Sequence, residues 1–126
     1  MASRKVLVVD DSEICREFVK MALEDRGYNV VGLESPLGFS RALFEERPDL
    51  ALIDVTMPAL RGDKLVELAM KTSRHKCAIV LYSDRPEPEL DSLARACGAT
   101  GFICKNGSED LLAASVQKFI DGGKPN

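Results

Sequence analysis

Apolar blocks alternate with amphipathic segments along the chain, and this alternation predicts five strands and five helices. Apolar runs without polar interruption are typical of strands that are covered on both faces of a parallel sheet. Strands are therefore predicted at residues 5–9, 28–33, 50–53, 78–82 and 100–104. The second is interrupted by Asn29 and Gly32 and the fifth is short, so both suit the edges of a sheet.

Apolar residues three and four positions apart predict a helix after each strand. Ser12 can cap the first helix. Its predicted inner face consists of Ile14, Phe18, Val19, Ala22 and Leu23. The second helix is predicted to open at Ser35-Pro36, with proline in its first turn, and to close at Arg47-Pro48.

The remaining helices are predicted at residues 63–71, at 89–97, and from the Ser108 cap to Ile120. The inner face of the third is predicted to consist of Leu65, Val66, Leu68 and Ala69. Residues 121–126 read as a tail or as the start of a linker, so residues 1–126 are interpreted as a single domain.

Five strand–helix repeats predict an α/β protein, because a parallel sheet with helices on both faces needs such crossovers. Right-handed crossovers leave few arrangements. Placing the three buried strands centrally gives a doubly wound (βα)5 flavodoxin-like domain with strand order 2-1-3-4-5. The ligand crevice of such a sheet lies at the carboxyl edge, between strands one and three.

Composition narrows the class of protein. The chain has 126 residues, 45% hydrophobic and 29% charged, which is ordinary for a globular domain. Its net charge of −3 argues against direct nucleic-acid binding. No apolar segment approaches the roughly 20 residues that span a bilayer, and no signal-peptide pattern occurs, so a cytoplasmic protein is expected. The four cysteines form no Cys-x-x-Cys pair and are interpreted as plain thiols.

Polar residues stand at the carboxyl ends of four predicted strands: Asp10-Asp11, Asp54, Ser83 and Lys105. Three neighbouring carboxylates repel one another unless a cation lies among them, and Mg²⁺ prefers such oxygen ligands. Lys105 adds a positive charge, and Ser83 adds a hydroxyl that can donate to a phosphoryl oxygen. These groups predict a phosphoryl-transfer site in which Asp54 is the nucleophile.

Over essentially its whole length, the sequence resembles the receiver domains of two-component response regulators. The resemblance rests on the following residues: Asp10-Asp11, the run from Asp54 to Pro58, Gly62, Ser83, Phe102 and Lys105. It implies that Asp54 accepts a phosphoryl group from a sensor histidine kinase or a phosphotransfer protein. It also implies no turnover of an external substrate.

The resemblance further implies the role of each site residue. Asp11, Asp54 and the backbone carbonyl of Thr56 would hold Mg²⁺ directly, and Asp10 would contribute through water. Ser83 and Lys105 would bind the phosphoryl group. Phe102 would be an aromatic switch that turns inward as Ser83 moves toward the phosphate.

Phosphorylation is then expected to change a face built from the fourth helix, the fifth strand and the fifth helix. The signal would pass to an output partner or to a separate effector domain, and this face could also form a phosphorylation-dependent dimer. The alternative is a pseudo-receiver that serves as a phosphorylation-independent scaffold. A phosphatase of the haloacid dehalogenase type is a weaker alternative, because Asp10-Asp11-Ser12 lacks its Asp-x-Asp pattern.

Two positions depart from the family pattern. Asn106 follows Lys105 where proline is common, and a cis bond to a non-proline residue costs roughly 3 kcal/mol, so a trans bond is expected. Asp84 follows Ser83 where a small residue is usual. Its charge would hinder phosphate access to Asp54 unless Arg85 pairs with it.

Overall fold

Five strands and five helices alternate in the computed structural model, which describes residues 4–58, 60–72 and 77–122. The strands are β1 (Lys5–Val9), β2 (Asn29–Leu33), β3 (Leu50–Asp54), β4 (Ala78–Ser83) and β5 (Gly101–Cys104). The helices are α1 (Glu13–Glu24), α2 (Phe39–Glu46), α3 (Gly62–Thr72), α4 (Glu87–Cys97) and α5 (Glu109–Ile120). Most of the predicted tail, residues 123–126, lies outside the described residues.

The sheet is parallel throughout, in the order β2-β1-β3-β4-β5, so the predicted fold class and strand order are confirmed. Val9 is paired with Ile53, and each of these residues is followed directly by an aspartate, Asp10 and Asp54 respectively. Asp54 is paired with Tyr82 on β4, and Ser83 with Cys104 on β5. The register therefore brings the polar residues at the strand ends to one edge of the sheet.

The core lies in two layers, one on each face of the sheet. Leu50 and Leu52 of β3 point into the layer covered by α1 and α5, whereas Ala51 and Ile53 point into the layer covered by α2, α3 and α4. All four side chains are fully buried. Burial on both faces explains why this strand is an uninterrupted apolar run, as predicted.

Two helices begin two or more residues away from their predicted starts. The Ser35 hydroxyl accepts a hydrogen bond from the Leu37 backbone N–H (3.2 Å), so the chain turns there instead of entering a helix. Helix α2 begins only at Phe39, after Gly38 in a left-handed conformation with φ of 85°. Helix α4 begins two residues earlier than predicted because Pro88 fits its first turn.

Two residues that were predicted to face inward are exposed. Ile14 of α1 is 83% exposed and Leu68 of α3 is 54% exposed. At 100° per residue, each lies about a third of a turn from the centre of its helix's buried face. The predicted faces were therefore too wide by one residue. No helix in the described part of the chain is long and apolar enough to cross a lipid bilayer.

Gly62 fixes the distance between α3 and the end of β3. Its N–H donates to the Val55 carbonyl (2.9 Å), and a Cβ at this position would lie 2.0 Å from the carbonyl oxygen of Asp54. A backbone oxygen cannot withdraw as a flexible side chain can. Glycine is therefore required here for close packing and not for an unusual φ angle.

Gly62→Ala should lower the free energy of unfolding by about 1–3 kcal/mol or more, because the added methyl group forces α3 away from Asp54. Urea unfolding measures this change. Gly32→Ala on β2 is the matched control: its Cβ would lie 3.4 Å from the flexible Arg16 side chain, and a change below about 1 kcal/mol is expected. Equal stability of Gly62→Ala and the wild type would contradict the packing described here.

Candidate functional site

Three carboxylates meet at the carboxyl edge of the sheet. Asp10 and Asp11 follow β1, Asp54 ends β3, and one oxygen from each lies within 4.8 Å of the others. Asp10 and Asp54 are buried, whereas Asp11 is exposed to solvent. The sheet thus holds three acidic groups together, two of them buried and the third accessible to solvent.

Asp10 is held by its backbone and by one of its two carboxylate oxygens. Its Oδ1 accepts from the Ser12 N–H (2.9 Å), and its backbone carbonyl accepts from Arg16 Nη1 (2.6 Å). Its Oδ2 is fully buried and has no well-aligned hydrogen-bond donor among the described residues. That oxygen is compensated only by charge, because Lys105 Nζ lies 2.7 Å from it.

Lys105 is the cation of this cluster. Its Nζ lies 2.7 Å from Asp10 and donates to Asp54 Oδ1 at 3.3 Å, and it stands 5.4 Å from the centroid of the Tyr82 ring. Its backbone N–H donates to the Ser83 carbonyl (2.8 Å), which fixes the end of β5. Burial alone would lower the pKa of the ammonium, but Asp10 and Asp54 outweigh burial and raise it. Lys105 therefore stays charged.

The surroundings of Asp54 disfavour the ionised form of its carboxyl group. The pKa of its carboxyl is raised from 3.8 to about 6, chiefly by burial; the charge of Lys105 lowers it, and the charge of Asp10 raises it. Its Oδ1 also accepts a long hydrogen bond from the Thr56 N–H (3.4 Å). The negative charge on Asp54 is thus incompletely compensated by the protein alone.

Ser83 and Arg85 form the opposite side of the crevice. Ser83 is buried, and its Oγ accepts from the Arg85 N–H (3.2 Å). The Arg85 guanidinium donates from Nη2 to Thr56 Oγ1 (3.3 Å) and forms an ion pair with Glu89 at 3.6 Å. Arg85 is therefore paired with Glu89 and not with Asp84, which is exposed beside it.

Phe102 lies on β5, two strands away from Asp54, with β4 between them. It is half-buried and packs against the core layer under α3 and α4, opposite Leu81 in the strand register. The structure places it near Ser83 along the sheet but among apolar residues. No peptide bond within the described ranges is cis, so the Lys105–Asn106 bond is trans, as expected.

The chemistry of the acidic cluster fits a magnesium ion. Carboxylate oxygens are the ligands that Mg²⁺ prefers, and each of the three aspartates offers one such oxygen, all within 4.8 Å of one another. The single Lys105 ammonium is shared by Asp10 and Asp54, and the pKa of Asp54 is nevertheless raised, which indicates a deficit of positive charge. A divalent cation at this point would remove that deficit.

Sequence reasoning missed several supporting contacts. Arg16 lies six residues after Asp10, so its contact with the Asp10 carbonyl depends on where α1 begins. The Tyr82 ring near Lys105 was interpreted only as part of a strand. The spacing of Arg85 and Glu89 by four residues was a readable signal for an ion pair at a helix start.

Comparison with known sequences assigns the family. Residues 6–117 match the sequence profile described as "Response regulator receiver domain". The chain belongs to this family of two-component receiver domains.

Similar solved structures agree with this assignment. The chemotaxis response regulator CheY4 of Vibrio cholerae superposes with a TM-score of 0.84 at 30% identity, over 93% of this chain and 98% of that one. A response regulator from Thermotoga maritima gives a TM-score of 0.84 at 27% identity, over 95% and 99%.

Curated relatives carry additional sequence beyond the matching part. The CAI-1 autoinducer sensor kinase/phosphatase CqsS of Vibrio cholerae is 29% identical over 93% of this chain, which covers 17% of that protein. The transcriptional regulatory protein CseB of Streptomyces coelicolor is 29% identical over 91% of this chain, which covers 48% of that protein. The chain therefore spans half or less of these relatives' length, and one relative is a sensor kinase/phosphatase whereas the other is a transcriptional regulator.

The raised pKa of Asp54 predicts that its ionisation opposes folding. Between about pH 4 and pH 6 the folded state keeps a proton that the unfolded state has lost, so stability falls as the pH rises through this window. The loss is at most about 3 kcal/mol without a metal ion. Asp54→Asn should therefore be more stable than the wild type at about pH 7.5 in a chelator, and this gain should vanish below about pH 4.

Urea unfolding of both proteins across this pH range measures the effect. Addition of Mg²⁺ is the internal control, because it should stabilise the wild type more than Asp54→Asn. Two proteins of equal stability at about pH 7.5 in the chelator would contradict a raised pKa at Asp54.

Proposed function

We propose that the chain accepts a phosphoryl group on Asp54 in a Mg²⁺-dependent reaction and changes conformation to control an output partner. The observation that carries the proposal is the cluster of three carboxylates within 4.8 Å, with the Lys105 ammonium in contact with two of them. The donor would be a phosphohistidine on a sensor histidine kinase or a phosphotransfer protein, as in the family, and the reaction would take place in the cytoplasm.

Asp11, Asp54 and the backbone carbonyl of Thr56 are proposed to hold Mg²⁺ directly, with Asp10 acting through water. When bound, the ion neutralises charge that develops on the phosphoryl oxygens. Asp10 and Asp54 are buried and follow directly on the paired residues Val9 and Ile53, so the site would need little rearrangement to bind a cation. Asp11 is exposed, which leaves a side on which the ion can keep water ligands.

The chain's own groups would perform the transfer. A carboxylate oxygen of Asp54 attacks phosphorus, and the donor imidazole leaves with the bonding electron pair. Lys105 lies 3.3 Å from Asp54 and can follow the new phosphoryl oxygens as an ammonium donor. Ser83 Oγ accepts a hydrogen bond from Arg85, so its own proton is available for a phosphoryl oxygen.

Switching would follow from these new contacts. Contacts of Ser83 and Lys105 with the phosphoryl group would stabilise one conformer of the chain over another and so raise the population of that conformer. Ser83 ends β4 just before α4, Lys105 follows β5 just before α5, and Phe102 lies between them in the chain. This face is the proposed output surface and could also form a phosphorylation-dependent dimer. The chain itself would turn over no external substrate.

Incubation with acetyl phosphate and Mg²⁺ should add one phosphoryl group to the wild type, because a small donor replaces the kinase when the site itself supplies the catalysis. Intact-mass measurement detects the gain, which should be stable in acid and labile in base. It should be absent with EDTA and in Asp54→Asn. A wild type that gained no phosphoryl group would favour the scaffold interpretation instead.

Binding of beryllofluoride, a phosphoryl mimic, should shift the amide NMR signals of α4, β5 and α5 more than those of α2, because Ser83 and Lys105, which would contact the mimic, lie at the strand ends just before α4 and α5. Two-dimensional ¹⁵N spectra with and without the mimic measure the shifts. Asp54→Asn is the matched control and should show none. Signals of α4, β5 and α5 that stayed in place in a wild type that bound the mimic would contradict the proposed output face.

A further inference from the structure

Arg85 links three different parts of the chain around Asp54. Its backbone N–H donates to Ser83 Oγ, its Nη2 donates to Thr56 Oγ1, and its Nη1 lies 3.6 Å from Glu89. Thr56 in turn donates its N–H to Asp54 Oδ1. The guanidinium is therefore separated from the acceptor carboxylate by a single intervening residue.

Both contacts of the guanidinium are weak. Charge-assisted hydrogen bonds have N···O distances of about 2.7–2.9 Å. The contacts of Arg85 with Thr56 and Glu89, at 3.3 and 3.6 Å, are longer. The Arg85 side chain is 29% exposed and that of Glu89 is 49% exposed, so water screens the ion pair further. The guanidinium is held loosely enough for a stronger anion to draw it away.

A phosphoryl group on Asp54 would be that stronger anion. It carries about 1.5 to 2 negative charges and three acceptor oxygens, against one charge for Glu89. The planar fork of a guanidinium matches two phosphoryl oxygens at once. The Lys105 ammonium is shared with Asp10, which leaves phosphoryl oxygens for a second cation to contact.

We propose that Arg85 is a further phosphoryl-binding residue. When Asp54 is phosphorylated, the Arg85 guanidinium gives up its ion pair with Glu89 and binds the phosphoryl oxygens instead. Glu89 belongs to the first turn of α4, so the exchange releases the start of this helix from the loop that precedes it. This exchange would give phosphorylation of Asp54 a second way to affect α4, in addition to the proposed aromatic switch Phe102. This inference rests on the proposed phosphorylation of Asp54.

The test measures the affinity of variants for beryllofluoride in the presence of Mg²⁺ by calorimetry. Arg85→Gln should weaken binding about tenfold or more, because it removes a charged hydrogen-bond donor, and Arg85→Lys should fall between it and the wild type. Glu89→Gln should strengthen binding about two- to fivefold, because it removes the competing anion. The gain from Glu89→Gln should disappear in the double variant with Arg85→Gln.

Asp91→Asn is the matched control. Asp91 and Arg95 form the same kind of ion pair on α4, at 3.0 Å and about one turn further from the site, so affinity should not change. Unchanged affinity in Arg85→Gln would overturn the role of Arg85 while leaving phosphorylation intact. Weaker binding in Glu89→Gln would also overturn it, because Glu89 would then support the loop instead of competing for Arg85. A wild type that bound no beryllofluoride would overturn the proposed function as well.

Discussion

Mutual repulsion among Asp10, Asp11 and Asp54 is the constraint on which the rest of the site depends. Their oxygens lie within 4.8 Å of one another, and two of the three side chains are buried. In a partly dry environment such charges interact much more strongly than in water. The carboxylates stay close together because the hydrogen bonds between neighbouring strands fix the backbone on both sides of the crevice. The folded state therefore contains an electrostatic repulsion that a bound cation would reduce.

The sequence allowed the sheet to be predicted well, for a clear physical reason. A central parallel strand is covered on both faces, so its sequence is apolar throughout, and three such runs identify the middle of the sheet. Helix faces were harder to predict. Ile14 and Leu68 follow the apolar spacing but lie outside the buried face, because an apolar residue is tolerated on the surface whereas a polar one is rarely tolerated inside.

The site could be predicted only as far as the sheet determines it. Asp10, Asp54 and Lys105 come together because the carboxyl ends of adjacent parallel strands meet at one edge. The contacts of Arg85 and Arg16 depend on loop paths and rotamers, which no periodicity encodes. The start of α2 shows the same limit, because the turn at Ser35 and the left-handed Gly38 move it to Phe39, which the apolar spacing does not indicate.

The two sides of the crevice differ in how tightly they are packed, because Gly62 packs directly against Asp54 on the α3 side. On the α3 side, backbone meets backbone with no space for a methyl group, so that wall can hardly yield. On the α4 side the wall consists of Ser83, Arg85 and Glu89, joined by contacts of 3.2 and 3.6 Å. A displacement at Asp54 is therefore expected to be transmitted to α4 more readily than to α3.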